Sequence, residues 1–350
     1  MAQADVLKIS DTEIKKGQRV RIEIPIAKLF DYTSLNIPVE VIRGAQDGPT
    51  LFVSAAIHGD EIIGAEIVKR ILARKELADI KGTLIAIPIV NPFGFNNNTR
   101  YLPDRRDLNR CFPGSPTGSL AARMAHTFLS EIVSKCDYGI DIHSGAVHRF
   151  NFPQVRMEIR DEEEARMAQA FGAPVVINSP LRAGTLRQAA YERGIKTILY
   201  EAGEALRFDD HAINIGIHGV LRVMQELDML DRDPDDMPNA NVMIAKSSHW
   251  IRAPESGSLR ILKKFGSFVD GEELLGVLTD PFGSNVCEVR AKTAGIIIGA
   301  TTMPLVNRGN ALFHIATLED LKFAGEAEES QFVLDSDVDI ENEDWIKQII

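Results

Sequence analysis

The stretch VSAAIHGDEIIGAEIVKRIL, residues 53–72, joins an apolar strand to an amphipathic helix through a short polar turn, HGDE (58–61). The continuous apolar run at 51–57 predicts a strand buried on both faces, and the apolar spacing at 61–74 predicts a helix. Taken alone, the polar turn is typical of a capped helix start. An imidazole followed three residues later by a carboxylate also suits a metal site. The rest of the chain decides between these two interpretations.

Strands and helices continue to alternate up to about residue 230. Apolar runs predict further strands at 20–26, 84–90, 138–142 and 196–200, and helical spacing predicts helices at 119–135, 161–171, 184–193 and 211–229. Strands that alternate with helices form a largely parallel sheet that is covered on both faces. We therefore predict an α/β fold for residues 1–235, with a mixed, mostly parallel sheet and helices on both faces.

A second, all-β domain is predicted after the polar segment DRDPDDMPNAN (231–241). Within residues 242–320 the chain repeats itself with a shift of 38 residues, so that RAPESGSLRILKKFGSFVDGEELLGVLT matches RAKTAGIIIGATTMPLVNRGNALFHIAT. The repeat resembles the barrel-sandwich hybrid of biotinyl and lipoyl domains. It lacks a hairpin lysine for a prosthetic group, which favours a structural or gating role. Residues 321–350 form an acidic tail.

Composition excludes several classes of function. The 350 residues carry a net charge of −11, most of it after residue 318, and no basic patch predicts a nucleic-acid partner. No apolar run is long enough to predict a membrane span. The cysteines are Cys111, Cys136 and Cys287, without CxxC spacing, so we expect reduced thiols and a cytoplasmic protein. A homo-oligomer is left open.

Polar residues follow the predicted strands at one edge of the sheet, where the carboxyl ends of parallel strands place binding sites. Two imidazoles and one carboxylate make the open three-ligand zinc site of hydrolases, so we predict that His58, Glu61 and His143 bind one Zn²⁺ per chain. A carboxylate that does not bind the metal is then needed as general base. Glu201 directly follows its strand and is preferred over Glu204.

Two further groups could support this site. Asp141 lies two residues before His143 and could orient it, unless strand alternation turns the carboxylate to the opposite face. The loop at 91–112 carries four arginines, whose guanidinium groups suit a substrate carboxylate or a developing oxyanion. These are Arg100, Arg105, Arg106 and Arg110.

HxxE after a strand, DLNR (107–110), DIHSG (141–145) and a final E-x-G (201–203) together resemble the succinylglutamate desuccinylase/aspartoacylase family. Its members are zinc enzymes with a carboxypeptidase A-like fold, and the resemblance covers most of residues 40–230. It implies hydrolysis of a small N-acyl amino acid, with Asn109 and Arg110 binding a substrate carboxylate. It also implies that Arg100 stabilises the oxyanion. Arg105 or Arg106 could take that role, because the segment between the arginines is longer than in aspartoacylases.

Two other functions remain open on the sequence. A zinc carboxypeptidase that acts on peptide C-termini would use the same ligands and base. A catalytically silent relative could bind a ligand or partner through the all-β domain, although the presence of Glu201 beside the complete ligand set argues against it.

Overall fold

The structure is a computed structural model, and it describes residues 6–233 and 242–317. The chain divides into two units, Met1–Met243 and Ile244–Ile350. The predicted acidic tail (321–350) and most of the predicted linker (231–241) lie outside the described residues.

The first unit is built on a large mixed sheet. The strands of this unit are β1 (Val6–Ile9), β2 (Thr12–Lys15), β3 (Arg19–Lys28), β4 (Ser34–Arg43), β5 (Gln46–Ala55), β6 (Lys81–Ile87), β7 (Tyr138–Gly145), β8 (Arg149–Met157), β9 (Val175–Asn178) and β10 (Lys196–Glu204). The sheet order is β3-β4-β6-β5-β7-β10-β8-β9, while β1 and β2 form a separate hairpin. The central strands β6, β5, β7 and β10 are parallel, and β3, β4 and β8 add antiparallel pairings. The mixed α/β architecture is therefore confirmed.

Helices cover both faces of this sheet. They are α1 (Ile63–Leu72), α2 (Pro92–Asn96), α3 (Leu120–Glu131), α4 (Glu162–Phe171), α5 (Leu186–Tyr191) and α6 (Asp210–Glu226), with 3-10 turns at Lys75–Asp79, Leu108–Arg110 and Val133–Lys135. Side chains of α1, α4 and α6 pack in one apolar core, and those of α3 and α5 pack in another. Strand β5 supplies both cores, because Leu51, Val53 and Ala55 face the first and Phe52 the second. This two-sided burial explains its continuous apolar sequence.

The second unit is antiparallel. Its strands are β12 (Ser247–Arg252), β13 (Gly257–Ile261), β14 (Phe268–Val269), β15 (Leu274–Thr279), β16 (Val286–Arg290), β17 (Gly295–Thr301), β18 (Leu305–Val306) and β19 (Ala311–Thr317), preceded by the short β11 (Met243–Ala245). One sheet has the order β16-β15-β13-β18, and the other contains β12, β19, β17 and β14. Strands β13 and β17 begin 38 residues apart, and β15 and β19 end 38 residues apart. The first copy of the repeat thus supplies β13 and β15 to one sheet, and the second copy supplies the equivalent strands β17 and β19 to the other.

Candidate active site

His58 lies just beyond the end of β5. Strand β5 ends at Ala55, and Ala56 has a φ of 52°, which turns the chain sharply before His58. A left-handed backbone is uncommon in a residue with a side chain and has to be held by its surroundings. Here the N–H groups of Val90 and Asn91 donate to the carbonyl oxygens of Ala55 and Ala56, at 2.9 and 3.0 Å. The segment after β6 thus fixes the turn that presents His58.

The glycine of HGDE is required by close backbone contact. A Cβ on Gly59 would lie 1.9 Å from the carbonyl carbon of Gly94 in α2. Asn91 caps this short helix by accepting a hydrogen bond from the Gly94 N–H at 2.9 Å. Only glycine therefore lets the turn and α2 pack together.

Glu61 lies in the turn before α1, and this differs from the predicted position in the first helical turn. The helix begins at Ile63, because the Glu61 N–H first closes a turn by donating to the His58 carbonyl at 3.1 Å. The Glu61 carboxylate is buried between two imidazoles. Its Oε1 lies 2.7 Å from His58 Nδ1, and its Oε2 lies 2.7 Å from His143 Nδ1. The structure thus brings together the three predicted metal ligands, each offering one ligand atom, with these atoms all within 4.8 Å of one another.

A second carboxylate contacts the far nitrogen of each imidazole. His58 Nε2 lies 3.0 Å from Asp107 Oδ1, and His143 Nε2 lies 2.7 Å from Asp141 Oδ2. Strand alternation places residues two apart on the same face, which is why Asp141 reaches His143. With each Nε2 proton donated to a carboxylate, both Nδ1 atoms are directed towards the centre of the cluster.

Charge pairing dominates the protonation of the cluster. Although burial disfavours the imidazolium, the charge of Glu61 and the hydrogen bond to Asp107 raise the pKa of His58. Despite complete burial, Asp141 and Glu61 raise the pKa of His143 well above its usual value. The two imidazoles in turn hold the pKa of Glu61 far below its usual value, against the effect of burial. The opposite shifts of the imidazole and carboxylate pKa values have one cause, the close contact of these groups in a buried cluster.

Arg100 lies beside the ligand cluster. It donates from Nη1 to Glu61 Oε1 at 3.0 Å and from Nη2 to Asp107 Oδ2 at 3.0 Å. Arg105 and Arg106, the two alternatives, are both exposed, and Arg106 lies 3.9 Å from Asp104. Of the three candidates, the structure brings Arg100 to the cluster.

Asn109 and Arg110 have different environments. Asn109 is buried, and its Oδ1 accepts a hydrogen bond from the backbone N–H of Leu186 at the start of α5, at 2.9 Å. This hydrogen bond ties the DLNR segment (107–110) to α5. It uses the amide oxygen of Asn109, and the amide nitrogen Nδ2 is the donor of the same side chain. Arg110 is exposed at the surface and donates from Nη1 to the Asn109 carbonyl at 2.6 Å. Within the described ranges, Arg110 forms no ion pair with a carboxylate.

Glu201 lies on β10 directly opposite His143 on the parallel neighbour β7. Its Oε1 accepts a hydrogen bond from Asn151 Nδ2 at 2.8 Å, and its Oε2 lies 2.8 Å from Arg156 Nε. Its competitor Glu204 accepts a backbone hydrogen bond from His148 at 3.1 Å. The register thus places Glu201, rather than Glu204, beside a metal-ligand candidate.

Three further residues that contact the predicted site residues are not apparent from the sequence. Asp107 is part of DLNR, but the sequence does not show that it touches both His58 and Arg100. Asn151 and Arg156 lie on β8, a strand that the apolar pattern did not predict because asparagine, proline and glutamine interrupt it. Because β8 was not predicted, the sequence could not indicate which strand Asn151 and Arg156 lie beside or which side chain they contact.

Comparisons with known proteins place this site in a family. The model of the succinylglutamate desuccinylase/aspartoacylase catalytic domain matches residues 47–227. The chain belongs to the succinylglutamate desuccinylase/aspartoacylase family. This match spans all three metal-ligand candidates and Glu201.

Similar proteins are found over most of the chain's length. The N-alpha-acetyl-L-2,4-diaminobutyric acid deacetylase of Halomonas elongata is 27% identical over 320 residues, which cover 87% of this chain and 93% of the relative. The product-bound ectoine utilization protein EutE (DoeB) of Ruegeria pomeroyi has a TM-score of 0.79 at 23% identity, covering 91% of this chain and 100% of that one. A family member from Rhodobacter sphaeroides has a TM-score of 0.76 at 24% identity, covering 85% and 94%. The two solved structures share the fold of the present chain. The family and the similar deacetylase indicate that the chain is an amide-bond hydrolase.

No helix in the described part of the chain is both long and apolar enough to cross a membrane.

Proposed function

We propose that this protein is a zinc-dependent deacylase that hydrolyses the amide bond of a small N-acyl amino acid in the cytoplasm. The observation that supports this most is the convergence of His58, Glu61 and His143, each imidazole being backed by its own carboxylate. An ordinary capped turn would not need two buried imidazoles whose Nδ1 atoms both face one buried carboxylate.

The donor set fits a zinc ion. His58 and His143 would each bind through Nδ1 and Glu61 through a carboxylate oxygen, which leaves a position for water or substrate. When bound, zinc lowers the pKa of water and polarises an acyl carbonyl. Asp107 and Asp141 keep the Nε2 protons, so that both Nδ1 lone pairs are available to the ion.

The surrounding side chains supply the remaining chemistry. Glu201 takes a proton from the attacking water and later delivers it to the leaving amine nitrogen, so that the amide yields a carboxylate and an amine. Arg100 donates hydrogen bonds to the oxyanion that develops on the acyl carbonyl. The Asn109 amide and the Arg110 guanidinium bind the carboxylate of the amino acid.

The choice of substrate follows from the curated relative. Since the Halomonas elongata protein is a deacetylase of N-α-acetyl-L-2,4-diaminobutyric acid, N-acetylated diamino acids are the first candidates for this chain. The acetyl group is small, and the free carboxylate of the amino acid gives Arg110 a partner.

The test is release of free amine from N-acetyl, N-succinyl and N-formyl amino acids, with N-α-acetyl-L-2,4-diaminobutyric acid included. Blocked and unblocked dipeptides and the Glu201→Gln variant are measured in parallel. We expect activity only on N-acyl amino acids, only in the zinc-loaded protein, and at least about 10²-fold lower in the variant. Cleavage of unblocked peptides would instead identify a carboxypeptidase. A fully active variant would refute the role of Glu201.

A further inference from the structure

Both oxygens of the Glu201 carboxylate contact side chains from β8. Asn151 Nδ2 donates to Oε1 at 2.8 Å, and Arg156 Nε lies 2.8 Å from Oε2. Each carboxylate oxygen has a further lone pair, so this arrangement leaves acceptor capacity for a water molecule. Asn151 provides a directed hydrogen bond, whereas the Arg156 contact is a charge pair without hydrogen-bond geometry. Acting on different oxygens, the two contacts restrict the rotation of the carboxylate more than one contact would.

The strand register explains how both side chains reach Glu201. Strand β8 is antiparallel to β10, and Gln154 lies opposite Glu201, so Arg156, two residues further, shares its face. Asn151 is three residues from Gln154 and would face the other way in a regular strand. The pairing shifts between Glu201 and Gly203, where Gly203 has a φ of 74°, and this irregularity brings Asn151 round. The bulge therefore has a local consequence, because it completes the support of one carboxylate.

A purely structural role explains this arrangement poorly. The side chains of Arg156 and Glu201 are 27% and 18% exposed, and partly exposed ion pairs contribute little to stability. Within the described residues, the one ion pair of Arg156 is with Glu201. Asn151, by contrast, is buried, so its amide is ordered before any ligand arrives.

We propose that Arg156 and Asn151 are positioning residues that hold Glu201 in the orientation needed to take a proton from water and to return it to the leaving amine. The inference rests on the proposed function, since it assigns a task to the general base. A base with three rotatable side-chain bonds samples many orientations, and a misplacement of about 1 Å can cost about 100-fold in rate.

The experiment compares Arg156→Met, Arg156→Lys and Asn151→Ala with the wild type, using Arg160→Met as the matched control because Arg160 is exposed on the turn after β8. For each zinc-loaded protein, kcat, KM, zinc content and Tm are measured on N-acetyl amino acids, alongside Glu201→Gln. We expect kcat of Arg156→Met to fall about 10- to 100-fold with KM and zinc content unchanged. Arg156→Lys should recover part of the loss, Asn151→Ala should lose less, and Arg160→Met should match the wild type.

The outcomes separate the inference from the proposed function. Inactive Glu201→Gln with normal kcat in both Arg156→Met and Asn151→Ala would overturn the inference and leave the proposed function standing. A raised KM with normal kcat in Arg156→Met would also overturn it, because Arg156 would then contact substrate. A fully active Glu201→Gln, or an inactive wild type, would overturn both. If Arg156→Met does not fold, then kcat of Arg156→Lys and Asn151→Ala decides.

Discussion

Replacing Asp141 by asparagine should weaken metal binding while leaving all three ligands in place. Asp141 is fully buried, and its two oxygens have different partners, with Oδ1 accepting from Ser54 Oγ and Oδ2 from His143 Nε2, both at 2.7 Å. Asparagine has nearly the same shape but no charge. The ring of His143 would therefore keep its place and lose the anion that makes its Nδ1 a stronger ligand.

The size of the effect depends on which way the asparagine amide turns. If its oxygen stays on His143 Nε2, Ser54 can rotate its hydroxyl to accept from the amide nitrogen, and only the charge is lost. If the amide nitrogen faces Nε2 instead, the tautomer that leaves the Nδ1 lone pair free is disfavoured. Loss of an outer carboxylate typically costs 10- to 100-fold in metal affinity, or about 1.4–2.8 kcal/mol. The two orientations correspond to the lower and upper ends of that range.

Zinc affinity is measured by competition with a chromophoric chelator for the wild type, Asp141→Asn and the control Asp137→Asn. Asp137 lies four residues earlier, is exposed and accepts a hydrogen bond from the Thr50 N–H at 2.8 Å, away from the ligand cluster. The control should therefore bind zinc like the wild type. An affinity within twofold of wild type for a folded Asp141→Asn protein would refute the idea that the outer carboxylate tunes His143.

Three further predictions concern the same cluster. Zinc affinity should decrease as the pH falls, because the raised pKa values of His58 and His143 let protons compete for the imidazoles. Chelator competition from pH 6 to 9 measures this affinity, and a profile that does not change with pH would contradict the prediction. Gly59→Ala should lose about 2 kcal/mol or more of stability, since its Cβ would collide with the backbone of α2, and an unchanged Tm would show that α2 yields freely. Asp107→Asn should reduce both zinc affinity and kcat, because Asp107 contacts both His58 and Arg100. A loss of zinc affinity alone, or of kcat alone, would contradict this dual role of Asp107.

Sequence reasoning predicted the parts of the molecule that depend on local pattern. The apolar runs at 51–57 and 138–142 overlap β5 (Gln46–Ala55) and β7 (Tyr138–Gly145) without matching their ends. The polar residues near these strand ends meet at the sheet edge, as expected for parallel strands. The apolar pattern did not predict β4 and β8, because polar residues and prolines interrupt both strands. Strand β4 pairs with its neighbour β3 and with β6, and β8 pairs with β9 and β10. Such pairings stabilise a strand whose own apolar pattern is weak, so they leave little trace in local sequence.

The convergence of the three metal-ligand candidates could be predicted because their positions follow from local sequence and from the parallel sheet. His58 and Glu61 are close in sequence, and His143 follows a strand that any parallel sheet would place nearby. The contact between His58 and Asp107 spans 49 positions and depends on how a long loop folds back, and the contact between Asn151 and Glu201 depends on a bulge. Contacts of this kind follow from tertiary packing and register, so residue type and spacing alone could not reveal them.

The charges around the cluster give a physical reason for a divalent ion at this position. Glu61, Asp107 and Asp141 are three carboxylates in contact with the imidazoles, and Arg100 supplies one compensating positive charge. With neutral imidazoles the set therefore carries a charge of −2, which is costly to bury without a partner. Two protons on the imidazoles can supply the missing charge, and this is why the pKa values of both histidines are raised. A dication held by the two Nδ1 atoms and Glu61 would supply the same charge, and Asp107 and Asp141 would keep their hydrogen bonds to the imidazoles. Metal and protons would therefore compete for the same negatively charged cluster.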